Sequence, residues 1–191
     1  MLNDGLTPKR LELLSELVPR AEVIALLINP NNATAERVIR DVQEAARTKG
    51  LQLHVLKAST ESEIDTAFAS LVQLHAGALV VAGDPFLTGR REQLVALASR
   101  HAVPSIYAWR EFAASGGLIS YGASITSAFR LVGHYAAEVL KGAKPADLPV
   151  QQPRPGDTGR KRLRALLEVN SRKWRTQCST MPGSMPIFAA S

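Results

Sequence analysis

The sequence predicts an α/β fold, a doubly wound and mostly parallel sheet, and three observations carry that prediction. Short apolar runs rich in branched residues alternate with longer stretches of helical periodicity. Gly, Pro and Asn punctuate nearly every junction between them. Apolar residues make up 46% of the 191 and charged residues 21%, enough apolar surface for a packed core and too little charge for general disorder.

Taken in order, Pro8 to Val18 reads as a helix, with Thr7 as a fair N-cap and Leu11, Leu14, Leu17 and Val18 on one face until Pro19 stops it. Glu22 to Asn29 is a nearly unbroken apolar run, too short for a helix and suited to a central strand buried on both faces. The Asn29 to Asn32 turn leads to a helix over Ala33 to Lys49, closed by Gly50. Strands are expected at Leu51 to Leu56, Gly77 to Ala82 and Val103 to Tyr107, the last starting near a proline as an edge or strand start would. Helices are expected at Glu61 to His75 and Arg90 to His101, with Asp84-Pro85-Phe86 as a loop between strand and helix. Beyond Trp109 the rhythm changes: Ala113 to Gly117 reads as a loop, Leu118 to Tyr121 as a short strand and Ser124 to Lys141 as an isolated amphipathic helix ending at Gly142. Strands alternating with helices make a parallel sheet, and the right-handed crossover rule places helices on both faces.

Net charge is +6, but its distribution removes the obvious inference of a nucleic-acid partner. Residues 1–150 carry 15 basic and 15 acidic side chains, whereas residues 151–191 carry 8 and 2. The compact part therefore has no electrostatic footprint for nucleic acid. Cys178 is the single cysteine, which excludes a disulfide framework and a cysteine-based metal site. Met1 to Thr7 has no basic segment followed by an apolar one, and no stretch reaches the length of a membrane span.

Ligands of open parallel sheets bind beyond the carboxyl ends of the strands, so the loops Asn29 to Asn32, Gly83 to Phe86 and Ala108 to Glu111 share one rim. Asn29, Asn31 and Asn32 offer amide donors and acceptors, Asp84 a carboxylate for an amino group, and Phe86 and Trp109 apolar faces; Asn29, Asn31, Asp84, Phe86 and Trp109 are singled out, with Tyr121 added. These six are the candidate ligand-binding residues, with Asp84 as ammonium partner and Trp109 as stacking face. A purely structural reading stands beside this one: Asn-Pro-Asn makes a turn and Asp84 caps the next helix. Glu111 reads as a solvated side chain, while Arg110 stays open between a carboxylate clamp and a surface charge. Glycine-rich phosphate loops and the Gly-x-Ser-x-Gly elbow do not occur, and His54, His75, His101 and His134 are scattered without metal-ligand spacing. The expectation is a binder with no cofactor, no metal and no catalytic residue.

Several stretches together resemble a known family: Pro8 to Pro19 (PKRLELLSELVP), Val23 to Asn32, Asp84 to Phe86, Arg90 to Ala98 (RREQLVALA), Pro104 to Ala113 (PSIYAWREFA), Gly116 to Gly122 (GGLISYG) and Leu140 to Pro149 (LKGAKPADLP). Order and spacing from about Leu6 to Gln152 match the ABC-transporter substrate-binding family related to tryptophan- and tyrosine-binding proteins. The resemblance implies a type I periplasmic-binding-protein fold, in which two α/β lobes close over a small solute and deliver it to an ABC permease. It implies that residues 1–122 are the second lobe and that 123–150 are the helix and connector of the crossing to a first lobe that this chain lacks. Phe129, Leu131 and Tyr135 would then leave an apolar face open to self-association. It further implies a location in the periplasm, or lipid-anchored outside the cytoplasmic membrane, for an intact member, and in the cytoplasm for a chain made as written.

Two departures from the family are expected to matter. The upstream lobe and export signal are missing, so Met1 reads as an internal start. Residues 151–191 replace an apolar strand and helix with Arg, Gly, Pro and Ser, as a frameshift or a degraded copy would. A genuine basic arm, with Trp174 among Arg172, Lys173 and Arg175, is the other reading of that tail. Two further classes share the fold: the ligand-sensing domain of a lactose-repressor-type regulator, and a flavodoxin-like α/β module.

Overall fold

Val23–Ile28 (β1) is apolar throughout and becomes the strand around which the sheet is built. In the computed structural model, which describes residues 4–122 and 125–149, β1 lies between Gln52–Lys57 (β2) and Ala78–Val81 (β3). Ser105–Tyr107 (β4) and Ile119–Ser120 (β5) extend the β3 side, giving a five-stranded sheet of order β2-β1-β3-β4-β5 with every pair parallel. The expected basic tail 151–191 and the expected helix start at Ser124 lie outside the described residues.

Alternation along β1 divides the core in two. Ile24, Leu26 and Ile28 face a cluster with Thr7–Leu17 (α1) and Ala35–Thr48 (α2), through Leu11, Leu14, Val38 and Val42. Ala25 and Leu27 face a second cluster with Glu61–Gln73 (α3) and, further along the chain, Arg91–Arg100 (α5), through Ile64, Phe68, Leu71 and Leu94. Side chains of successive strand residues point to opposite faces, so a strand buried on both must be apolar at every position. β2, at the edge, is only partly buried along its middle and exposed at both ends.

Two short helices stand where loops were expected. Pro85–Gly89 (α4) forms because the Asp84 carboxylate accepts from the N–H groups of Phe86 at 2.8 Å and Leu87 at 3.2 Å, with Pro85 in the first turn and Leu87 buried beneath. Arg110–Ala114 (α6) is held by Phe112, which is buried and stacks on Tyr107 with ring centroids 4.5 Å apart. Gly117 then lies so close that an added Cβ would meet the Phe112 carbonyl oxygen and the Tyr107 ring, each at 2.8 Å. β4 is shorter than expected because Pro104 has no N–H, although its carbonyl still accepts from Leu79 at 2.8 Å. β4 is also an interior strand, since β5 covers its far side.

Ile125–Leu140 (α7) forms the helix expected from the periodicity and is followed by a single 3-10 turn, Pro145–Asp147. Several of its apolar side chains are exposed, Phe129 by 70%, Val132 by 63% and Leu140 by 88%, whereas Leu131 and Tyr135 are partly buried. Val132, Tyr135, Val139 and Leu140 instead line an open apolar groove of about 760 Å³, which Pro145 and Leu148 close on one side.

Candidate functional site

Strand order 2-1-3-4-5 reverses direction between β1 and β3, and ligands of such sheets bind in the crevice outside the carboxyl ends of the strands at that switch point. Asn29 leaves β1 and Asp84 follows β3, so these two residues face each other across the switch. Their side chains are joined: Asn29 Nδ2 donates to Asp84 Oδ1 at 3.1 Å, with both residues buried. Asn32 Nδ2 donates to Asp84 Oδ2 at 2.9 Å.

The remaining amide oxygens shape the loop. Asn29 Oδ1 accepts from the N–H of Asn31 at 3.0 Å, and Asn32 Oδ1 from the N–H and the hydroxyl of Thr34 at 3.0 and 2.8 Å. These are Asx turns, in which a short side chain stands in for backbone. Asn32, a residue of the same loop outside the six, holds the same carboxylate as Asn29. Asp84 thus takes two side-chain amides and the two N–H groups that begin α4. A carboxylate has about four lone-pair sites, and Oδ1 alone serves three of these donors. The carboxylate is a buried clasp between β1 and β3, and any ligand amine there competes with four donors already in place.

The other candidates surround this clasp. Asn31 and Pro30 are exposed at the tip of the first loop. Phe86 and Trp109 are partly buried against the cluster on the α3 and α5 face. Tyr121, just past β5, packs on the opposite cluster, and its N–H donates to the Tyr107 carbonyl at 2.9 Å. Asn29, Asn31, Asp84 and Phe86 therefore meet in one hydrogen-bonded loop pair, while Trp109 and Tyr121 stand at neighbouring strand ends beyond it.

Arg10 is a feature the sequence reading passed over. It is fully buried on α1, where Nε donates to the Tyr121 carbonyl at 2.7 Å and Nη1 to the Thr7 hydroxyl at 3.1 Å. A guanidinium is never free of charge in a protein, so burial requires such partners. The signal was present: Thr7, Arg10, Leu11 and Leu14 fall at helical spacing on one face, with a cation in the middle of the apolar stripe. Its effect is to tie the exit of β5 to the first helix.

Among the described residues no three His, Cys, Asp or Glu side chains form a group able to hold a metal ion, and no helix is long and apolar enough to cross a membrane. Burial pushes the Tyr107 phenol well above its ordinary value, so that hydroxyl stays protonated and acts as packing beneath the rim. The arrangement offers amides, a clasped carboxylate and aromatic faces, a set suited to holding a small polar solute with an apolar portion.

Comparison with known proteins places the chain in a family. The profile of a family described as ABC transporter substrate binding protein matches residues 2–157. A tyrosine-binding protein of Clostridioides difficile is 26% identical over 142 residues, which are 74% of this chain and 41% of that protein. A conserved domain protein of Vibrio cholerae superposes with a TM-score of 0.69 at 19% identity, over 85% of this chain and 58% of the other. A Streptococcus domain solved in complex with L-Trp gives 0.66 at 22% identity, over 76% and 50%. Identities of this order in the two structures speak to the fold, and the chain spans roughly half the length of each protein it matches. On the family match across most of its length, the chain belongs to the ABC transporter substrate-binding proteins.

Proposed function

We propose that this chain is one α/β lobe of a solute-binding protein serving an ABC-type importer, and that it binds a small molecule such as an amino acid at the carboxyl rim of its sheet without catalysing a reaction. The observation that carries the reading is the Asn29–Asp84 clasp, which orders the rim at the one point where the strand order reverses. Asn29, Asn31 and Asp84 form the polar side of the proposed site, and Phe86, Trp109 and Tyr121 the apolar side. An aromatic amino acid suits that division, in keeping with relatives described as binding tyrosine and L-Trp.

The proposed mechanism is hinge closure. Solute meets one lobe first and selects the closed state through its contacts to both. Residues 1–122 are the proposed lobe, and 123–150 the proposed crossing toward a partner lobe. The importing permease, and a location outside the cytoplasmic membrane for the whole protein, are proposals of the same reading. A single lobe gives up half the contacts and the exclusion of water, so affinity of this chain alone should be weak. The exposed face of α7 is proposed to drive association of the isolated chain with itself.

Tryptophan fluorescence of the purified chain, titrated with amino acids and small carboxylates, tests the reading. The sequence has 2 tryptophans, so Trp109→Phe identifies which one responds. A weak saturable change that disappears in Trp109→Phe is expected. Submillimolar affinity would contradict the one-lobe account, and a folded chain indifferent to every amino acid would contradict the site.

A further inference from the structure

Among the described residues, one buried side-chain oxygen has no hydrogen-bond partner, and it is Oε2 of Glu111. Buried polar atoms in folded proteins are nearly always paired, and a charged acceptor is the most costly to leave alone. Glu111 sits in the first turn of α6, two residues beyond Trp109, on the rim where the reading above places the solute. α6 follows the carboxyl end of β4 and packs against β5, β4 and α5, so Glu111, a partly exposed residue, stands on the stretch of rim between Trp109 and Tyr121.

Other carboxylates of the strand-end loops are already engaged. Asp84 accepts from Asn29, Asn32, Phe86 and Leu87. Glu61, at the start of α3, pairs with Arg90 at 2.5 Å. From this contrast we infer that Glu111 is the acceptor for a primary ammonium group on the solute, and that Asp84 positions the loops without taking that charge. The inference rests on the proposed solute-binding role and gives that site its cation-recognising residue. A ligand ammonium has three donors and no acceptor, so it supplies what Oε2 lacks. With its amine held at Glu111, an aromatic amino acid has Trp109 two residues away for its ring.

The test uses the full chain and two probe pairs, each an amino acid and the same molecule without its amine: L-tyrosine with 3-(4-hydroxyphenyl)propionate, and L-tryptophan with indole-3-propionate. Backbone amide shifts in two-dimensional NMR report weak binding and confirm folding in the same spectra. In the unaltered chain the amino acids should bind more tightly than their deaminated partners. Glu111→Gln, which keeps size and one oxygen, should weaken the amino acids about tenfold or more, as loss of a charge-assisted hydrogen bond does. The deaminated pair should be unaffected, a pattern that a merely structural role would not give. Equal binding of the amino acids by Glu111→Gln and the unaltered chain would overturn the assignment of Glu111 and leave the binding role intact. Absence of any shift in the unaltered chain with all four probes would overturn both. Should Glu111→Gln fail to fold, Glu111→Asp replaces it, and retained discrimination of its full size despite the shorter reach would count against the assignment.

Discussion

Asp84 shows how much one side chain can organise. It caps α4, joins β1 to β3 through Asn29, and fixes the Asn32 turn, all from a position 5% exposed. Asp84→Ala removes the cap, at about 1 kcal/mol, and strands two amide groups, at about 1–3 kcal/mol where buried. A loss of about 2–4 kcal/mol in urea unfolding is expected. Asp84→Asn keeps one capping oxygen but turns an amide NH2 donor toward one of the asparagine NH2 donors, so its loss should fall between that of Asp84→Ala and none. A stability unchanged by Asp84→Ala would mean that the clasp is incidental. Both roles of Asp84 were open in the sequence, because an Asp before a Pro reads equally as a cap and as a free carboxylate. Glu111 is legible only in part for a related reason: residue type and neighbours suggest solvent, and the residue is partly exposed, but packing shows that one of its oxygens is buried. Arg10 was legible as an anomaly in an apolar stripe, and Thr7 as a partner lies within local reach, but the Tyr121 carbonyl lies 111 residues away, beyond any local pattern.

At the scale of elements, the helices end as their sequences direct, with two revealing exceptions. Gly50 closes α2 at φ 68° and Gly142 follows α7 at φ 100°, the left-handed conformation that glycine tolerates. His75 after α3 and Ala102 after α5 adopt φ 49° and 52° without that freedom. A left-handed backbone costs an ordinary residue about 1–2 kcal/mol, and glycine adds about 0.5–1 kcal/mol of chain entropy. His75 is exposed and its replacement sacrifices little packing, so His75→Gly should stabilise the chain by about 0.5–1 kcal/mol in thermal unfolding. A destabilised variant would show that the His75 side chain contributes more than its exposure suggests. The start of α3 is better provided: Thr60 accepts from the N–H of Glu63 at 3.2 Å, and the Glu63 carboxylate accepts from the N–H and hydroxyl of Ser59 at 2.6 and 2.9 Å. Those Ser59 contacts hold the Glu63 carboxyl below its usual range, so its contribution is present above the ordinary carboxylate pKa and fades as pH falls through the lowered value. Short helices α4 and α6 escaped the sequence reading because five residues are too few for periodicity, and a cap or one buried ring decides them.

For the whole molecule, the sheet with its two covered faces accounts for residues through Tyr121, and α7 then presents an apolar surface that nothing among the described elements covers extensively. Sedimentation of the isolated chain should show association that grows with concentration and is reduced in a Phe129→Lys, Leu140→Lys double variant. A monomer at all concentrations would contradict self-association. What the sequence determined by itself was the alternation of strands and helices, the central place of β1 and the identity of the rim loops, because burial on two faces demands continuous apolar runs and helices demand a period of 3.6 residues. What tertiary structure alone decided was which polar atoms find partners. Asp84 was engaged and Glu111 left open by contacts between segments distant in the chain, and hydrogen bonds of that kind leave no periodic trace in the sequence.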